Sequence, residues 1–275
     1  MQKEYVVLSN GIKMPIVGFG TFKTGDEAET IESVKSALQV GYRQIDAAAY
    51  YGNEEAVGKG LKESNVPREE IFLVSKLWND DHGYDNTIRS FNESLKRLDV
   101  DYLDMYLIHW PNKLNLETWR AFEDLYEEGK IKSIGVCNFK ESHLEELIKN
   151  SRIMPMVNQI EIHPHRSQKE MIKYCNDRKI QVVGWCPLMR GGIFSIPLMK
   201  ELSEKYKKSI AQITLRWHLQ NGVIAIPKST NIERIKANFE IFDFEISNED
   251  MIRIDDLDIG ESISAPPLNT TYLDC

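Results

Sequence analysis

Ionisable side chains of four kinds stand just behind three short β-branched runs of the 275-residue chain. Asp46 opens the stretch DAAAYYGNE, which carries Tyr50 and Tyr51; Lys76 lies in SKLW and His109 in IHWP. Each has an ordinary structural reading: an aspartate capping a turn, a surface lysine beside Trp78, a core imidazole before Trp110. Taken together they form an acid–base set. A tyrosine hydroxyl, with a reference pKa of about 10, is a weak donor at neutral pH. An adjacent ammonium favours the phenolate and is expected to lower that value, and a carboxylate beside the lysine would hold it charged and in place. A neutral His109 would donate to a carbonyl oxygen and orient it. The set suits a proton donor next to a hydride acceptor, needs no metal, and as general acid catalysis is worth about 3–5 kcal/mol.

These residues can meet only if the runs carrying them lie side by side. Strand-like runs at 16–18, 42–46, 71–75, 102–109, 131–136, 156–160, 180–185 and 223–226 are separated and followed by amphipathic helical stretches. Ile31, Val34 and Leu38 keep helical spacing ahead of Gly41, which fits a C′ glycine. Asn53 opens the next helix, and Tyr84, Ile88, Phe91, Leu95 and Leu98 form the cleanest 3.6-residue stripe. Asn10-Gly11, between runs at 5–8 and 12–14, predicts a hairpin with a type I′ turn. Ser247 with Asp250 three residues on marks the start of a last helix. Eight β-then-α units point to an α/β fold, a closed (β/α)8 TIM barrel with an N-terminal β-hairpin and a C-terminal extra helix, rather than an open doubly wound sheet. With no linker or composition shift, residues 1–275 read as one domain. Chemistry in such a barrel gathers where the βα loops converge, at the C-terminal strand ends.

Composition narrows the partners. Hydrophobic residues make up 42% and charged residues 28% of the chain, which excludes disordered and collagen-like classes. The 34 basic and 42 acidic side chains leave a net charge of −8, the wrong sign for attraction to nucleic acid or an anionic membrane. Cys137, Cys175, Cys186 and Cys275 show no CxxC spacing and read as reduced, cytoplasmic thiols. No apolar run approaches the roughly 20 residues of a membrane span, and MQKEYVVLSNG lacks the apolar stretch of a signal peptide.

The order of motifs resembles the aldo-keto reductase family. GFGTF at 18–22, DAAAYYGNE at 46–54, SKLW at 75–78 and IHWP at 108–111 are followed by GVCNF at 135–139, NQIE at 158–161, GWCPL at 184–188 and IPKSTNIERIKANF at 226–239. The resemblance implies a TIM barrel that reduces small aldehydes, dicarbonyls or keto-sugar acids with NADPH, and a catalytic tetrad of Asp46, Tyr51, Lys76 and His109. Tyr51 rather than Tyr50 matches the family's tyrosine, five residues after the aspartate. Phe22, Tyr50, Trp78 and Trp110 would then wall the substrate pocket together with Tyr51 and His109. For the cofactor the resemblance implies Asn138 and Gln159 at the nicotinamide carboxamide, Trp185 stacked on the ring, and Gly20, Thr21, Phe22, Asp46, Cys137, Pro187 and Leu188 along it. Lys228, Ser229, Thr230 and Arg234 match the group around the adenosine 2′-phosphate, beside a helix start whose free N–H groups favour anions. Asn238 matches an adenine contact. A monomer is also expected.

Some positions depart from the family pattern. Cys137 stands where many relatives have serine, so looser carboxamide anchoring is expected. Ala237 replaces a glutamate near adenine, which points to weaker cofactor retention. Trp185 replaces the commoner tyrosine and, with Phe22, resembles the branch reducing small dicarbonyls and diketogluconate. Short segments at 112–118 and after 260 predict a shallow, permissive site. His163-Pro164-His165 lacks a third ligand and reads as a loop-structural feature rather than a metal pair. Two competing functions remain: a non-catalytic NADPH-binding sensor or subunit of the same fold, and an unrelated barrel enzyme needing paired carboxylates.

Overall fold

The computed structural model describes residues 5–264. Strands β3 (Phe19–Gly20), β4 (Gln44–Asp46), β5 (Phe72–Leu77), β6 (Met105–Ile108), β7 (Ile134–Cys137), β8 (Val157–Glu161), β9 (Gln181–Trp185) and β10 (Ile224–Ala225) form one parallel eight-stranded sheet in sequential order. A parallel bridge between Val17 and Ala225 joins its edges, with Gly18 N–H donating to Ala225 O at 2.9 Å and Gly20 N–H to Pro227 O at 3.0 Å. The sheet is thus a closed barrel, as the eight-unit pattern requires.

Helices α1 (Glu27–Val40), α2 (Glu54–Glu63), α3 (Tyr84–Leu98), α4 (Asn115–Glu127), α5 (Glu141–Asn150), α6 (Lys169–Asp177), α7 (Pro197–Tyr206), α8 (Ile210–Gln220) and α9 (Ile232–Phe239) surround it, and α10 (Asn248–Asp255) follows. Two apolar layers result. Phe72, Val74, Met105, Leu107, Val157, Val183 and Ile224 fill the barrel interior. Ile45, Leu73, Tyr106, Ile108, Val136, Ile160 and Val182 face outward onto Val34, Phe91, Phe122, Leu144 and Ile213 of the helices. The strands carry apolar residues on both faces, the signature of a parallel sheet covered on both sides.

Helix ends follow local chemistry. Asp26 and Glu29 form a capping box on α1, Gly41 ends it at φ 125°, and Ser247 accepts the Asp250 N–H at the start of α10. Asn53 sits at the N-cap of α2 but does not cap it; its amide donates instead to Thr21 O at 2.8 Å.

Three expectations are corrected. The hairpin of β1 (Tyr5–Val7) and β2 (Lys13–Pro15) does not turn through a type I′ pair, because Gly11 has φ 87° while Asn10 has no positive φ. Leu8 O accepts from Gly11 N–H and Leu8 N–H donates to Ile12 O, both at 2.9 Å, so the loop has three residues and ends in a left-handed glycine. Asn10 is released to bond Lys132 O at 3.0 Å, which fixes the hairpin to the barrel while Leu8 and Met14 plug its interior. Second, Tyr84 leaves the stripe of α3: it is exposed and donates to Asp124 at 2.7 Å, while Thr87, Ser90 and Ser94 share the buried face with Phe91 and Leu98. Third, α7 is an additional helix between β9 and α8, started by Pro197 at its first turn and seated through Met199 and Leu202.

Candidate active site

Strand parity assembles the site. Side chains alternate across a strand with a period of two. On β4, Ile45 faces the helices, so Asp46 faces the lumen; on β5, Phe72 and Val74 face the lumen, so Lys76 does too. Met105 and Leu107 put His109 on the same side, Val157 does so for Gln159, and Val183 for Trp185. Asp46, Lys76, His109 and Trp185 lie at C-terminal strand ends, and Gln159 sits mid-strand in β8 on the same lumen face.

The contacts are short and polar. Lys76 Nζ lies 2.5 Å from Asp46 Oδ1, and it donates to Ala47 O at 2.9 Å and to the Tyr51 hydroxyl at 3.2 Å. Gln159 Nε2 donates to Asp46 Oδ2 at 2.8 Å, so both carboxylate oxygens are engaged. Lys76 and Asp46 are buried and Tyr51 keeps an edge on the cavity. The Tyr51 ring packs between Phe22, 4.9 Å away, and His109, 5.7 Å away. Tyr50 lines the same cavity further out: it is half exposed and stacks on Trp78 with centroids 3.8 Å apart.

Electrostatics follow from burial. Burial disfavours the charge on Lys76, yet Asp46, Tyr51 and Cys137 outweigh it and raise the ammonium pKa, so the lysine stays cationic. Burial lifts the Tyr51 hydroxyl to about 12, and the pull of Lys76 in the other direction only partly offsets it. The expectation that Lys76 brings the phenol below its reference value is therefore corrected: desolvation of the phenolate is the larger effect. Burial, aided by Lys76, drives His109 well below the usual imidazole range, and its buried Nδ1 has no partner among the described residues. His109 is thus a neutral imidazole beside the phenol. Burial pushes the Cys137 thiol up, so it is no reactive thiolate.

A cavity of about 570 Å³ opens above these groups, within the range of small-ligand sites. Gly20, Thr21, Phe22, Asp46, Tyr50, Tyr51, Trp78, His109, Trp110, Asn138, Gln159, Trp185, Pro187, Leu188 and Lys228, all singled out by sequence, line it. Asn138 takes a left-handed φ of 62°, which lets its amide turn back on the site: Nδ2 donates to His109 O at 3.0 Å and Oδ1 accepts from Trp185 Nε1 at 2.9 Å. Cys137 lies beneath the lining, packed with the interior residues. Ser229, Thr230 and Arg234 run on from Lys228 into the start of α9 outside the cavity, and Asn238 is buried further along that helix. One N–H of that helix start, from Arg234, is already taken by the Asn231 side chain at 3.0 Å.

Sequence reasoning missed Lys23, Cys186, Arg190, Ile226, Pro227 and Ser264, which also line the cavity. Cys186, Ile226 and Pro227 stand inside recognised motifs and Lys23 adjoins one, so all four were legible by position. Arg190 (φ 49°) and Ser264 come from irregular segments with no periodicity to read. Lys23, Arg190 and Lys228 give the rim a cationic side; burial and the nearby Lys23 depress the Lys228 ammonium pKa against the pull of Glu29. The histidine pair diverges: His163 is enclosed beside Glu161, while His165 meets Glu261 at 3.1 Å. Among the described residues no group of three or more His, Cys, Asp or Glu side chains could hold a metal, and no helix is long and apolar enough to cross a membrane. A second depression of about 650 Å³, between α2 and α3, is lined by Lys59, Lys62, Glu93, Arg97 and Asp99; Lys62 pairs with Asp99, Arg97 with Glu93 and Lys59 with Glu27, and the depression brings no such constellation together.

Comparison with known proteins agrees with this geometry. The profile of the Aldo/keto reductase family matches residues 16–259. A glyoxal reductase of Bacillus subtilis (strain 168) is 52% identical over 266 residues, covering 96% of each chain. A methylglyoxal reductase of Escherichia coli (strain K12) is 43% identical over 267 residues, covering 95% of this chain and 96% of its own. The crystal structure of a Bombyx mori aldo-keto reductase in complex with NADP superposes with a TM-score of 0.92 at 36% identity, covering 96% of both chains. Matched from its first barrel strand to the segment beyond its last helix, the chain belongs to the aldo/keto reductase family and is an oxidoreductase acting on carbonyl groups.

Proposed function

We propose that the protein reduces small aldehydes and 1,2-dicarbonyls to alcohols with NADPH, and that Tyr51 supplies the proton. The observation that carries this is the Asp46–Lys76–Tyr51 chain at the floor of the cavity with neutral His109 beside it. The lining fits the cofactor: Asn138 and Gln159 offer amides beside the aromatic face of Trp185, and Lys23, Arg190 and Lys228 offer cations on the rim for phosphate groups. The names of the glyoxal and methylglyoxal reductases and the NADP complex support the same reading.

When bound, a reduced nicotinamide supplies hydride to the carbonyl carbon. His109 donates an N–H to the carbonyl oxygen and orients it. Tyr51, protonated at all physiological pH values, transfers its hydroxyl proton to that oxygen as negative charge develops there. The phenolate left behind is met by the Lys76 ammonium at 3.2 Å, and Asp46 and Gln159 keep that ammonium in position. The phenolate recovers its proton from water. Phe22, Tyr50, Trp78 and Trp110 wall the site with apolar surface, which strengthens these interactions by excluding water. Lys228 and Arg234 favour the 2′-phosphate, each by a charge-assisted hydrogen bond of ~1.5–3 kcal/mol.

The test is the loss of reduced-nicotinamide absorbance with methylglyoxal, a nitrobenzaldehyde and a keto-sugar acid, with NADPH against NADH. The expected result is NADPH-dependent turnover that Tyr51→Phe abolishes while cofactor binding is kept. Binding of NADPH without turnover of any carbonyl would replace this reading with a non-catalytic NADPH-binding protein.

A further inference from the structure

On β8 the row of lumen-facing side chains runs Val157, Gln159, Glu161. Gln159 reaches the catalytic aspartate, and Glu161 is the next rung towards the mouth. Its carboxylate is buried, yet among the described residues the basic side chains stand back from it: His163 Nε2 is 3.4 Å away and Arg166 Nε 4.0 Å. Instead Oε2 accepts the Ser262 hydroxyl at 2.6 Å and Oε1 accepts the Ile263 N–H at 2.9 Å. Two residues of the segment beyond α10 thus share one buried carboxylate.

That segment has two separate attachments. Its outer part, 258–261, is tied to the loop after β8: Ser167 N–H donates to Asp258 at 3.0 Å, Ile259 and Glu261 N–H donate to His165 O at 3.2 and 3.1 Å, and Arg166 donates to Gly260 O at 3.0 Å. Its inner part, 262–263, is held by Glu161. The next residue, Ser264, lines the cavity and accepts from Arg190, another lining residue, at 2.6 Å.

We propose that Glu161 is a latch, a positioning residue that holds the 262–264 stretch across the cavity mouth and thereby sets how tightly small carbonyls are retained. The segment is neither helix nor sheet, Ser262 is exposed and Ile263 is half-buried against the outer core, so the carboxylate supplies the polar anchor beside a single apolar contact at its inner end. Burial works against the charge on Glu161, but the nearby His163 and the hydrogen bonds from Ser262 and Ile263 prevail and keep it ionised, the state that accepts both of those donors. The latch acts on the cavity assigned above to carbonyl reduction, and its effect on KM rests on that reading.

The test combines amide hydrogen exchange with steady-state kinetics on the full chain, comparing wild type, Glu161→Ala and Ser262→Ala. Glu161→Ala should lose protection at Ile263 while Ile259 and Glu261, whose acceptor is His165 O, keep theirs. With it the KM for methylglyoxal should rise about tenfold and kcat stay within about twofold, the mark of lost ground-state retention rather than lost chemistry. Ser262→Ala should move both readouts the same way and less far. Unchanged protection at Ile263 in Glu161→Ala, or protection lost with KM unmoved, overturns the latch. If Glu161→Ala loses protection along the whole chain, the milder Ser262→Ala decides by the same criteria. Absence of carbonyl turnover in the wild type overturns the reduction reading alone, and the exchange comparison then decides whether Glu161 holds the segment.

Discussion

At the scale of single residues, the pair Lys76–Asp46 is buried and bonded at the site proposed for the chemistry, so its loss bears on stability and turnover together. Removing one partner of a buried ion pair strands the other in a low dielectric, typically at 3–5 kcal/mol. Lys76→Met should therefore lower the unfolding free energy by about that much and abolish turnover, since Asp46 would be left buried without its ammonium. Denaturant titration and the reductase assay check the two effects separately. The pH profile follows from the same environments. His109 lies well below its usual range and Tyr51 near about 12, so neither changes protonation between pH 6 and 9. Turnover should be flat across that window, and an inflection near 6.5 that His109→Gln removes would show that the imidazole titrates there after all. The types and order of the four residues were legible in the sequence because each follows a strand. The sign of the Tyr51 shift was not, because the depth of burial around a phenol is a property of many residues folded together.

At the scale of elements, close approach decides where the helices can lie. A Cβ on Gly58 of α2 would sit 2.3 Å from Leu98 O, the last backbone carbonyl of α3. Backbone cannot retreat as a flexible side chain can. Gly58→Ala should push α2 off α3 and destabilise by ~1–3 kcal/mol, lowering Tm by several degrees for a chain of this size. Gly52→Ala is the comparison: it has φ 65° and open space around it, so only local backbone strain of about 1 kcal/mol is expected. Calorimetry on the two variants distinguishes crowding from strain. The stripe read from Tyr84 to Leu98 coincides with the observed ends of α3, although Tyr84 itself turns outward. Helix α7 was passed over although Pro197, Met199 and Leu202 carry its signal, because the preceding stretch 189–195 breaks the β-then-α rhythm with left-handed residues at Met189, Arg190 and Gly191.

At the scale of the whole molecule, buried neutral histidines link stability to pH. His82 is buried against Thr118 and held down to about 4, compared with 6.5 when unfolded. The unfolded chain therefore binds a proton that the native state refuses. Stability contributed by keeping His82 neutral is present above about pH 6.5 and is lost as pH falls towards about 4, some 3 kcal/mol over that span. His109 adds a loss of the same sign. Thermal unfolding should show Tm dropping between pH 7 and 4.5, and His82→Gln should flatten that slope; an unaltered slope would assign the acid sensitivity elsewhere.

What the sequence determined by itself was the alternation of strands and helices, hence the barrel, and the parity that sends Asp46, Lys76 and His109 to one face, because both depend on local periodicity. Only the tertiary structure decided the rest. The hairpin turn is set by Asn10 reaching across to Lys132, α2 starts without its asparagine cap because Asn53 ties down Thr21, Arg190 meets Ser264, and Glu161 meets Ile263 from 102 positions away in the chain. Such contacts pair residues whose sequence neighbourhoods carry no record of each other, and only closure of the barrel brings them within hydrogen-bond distance.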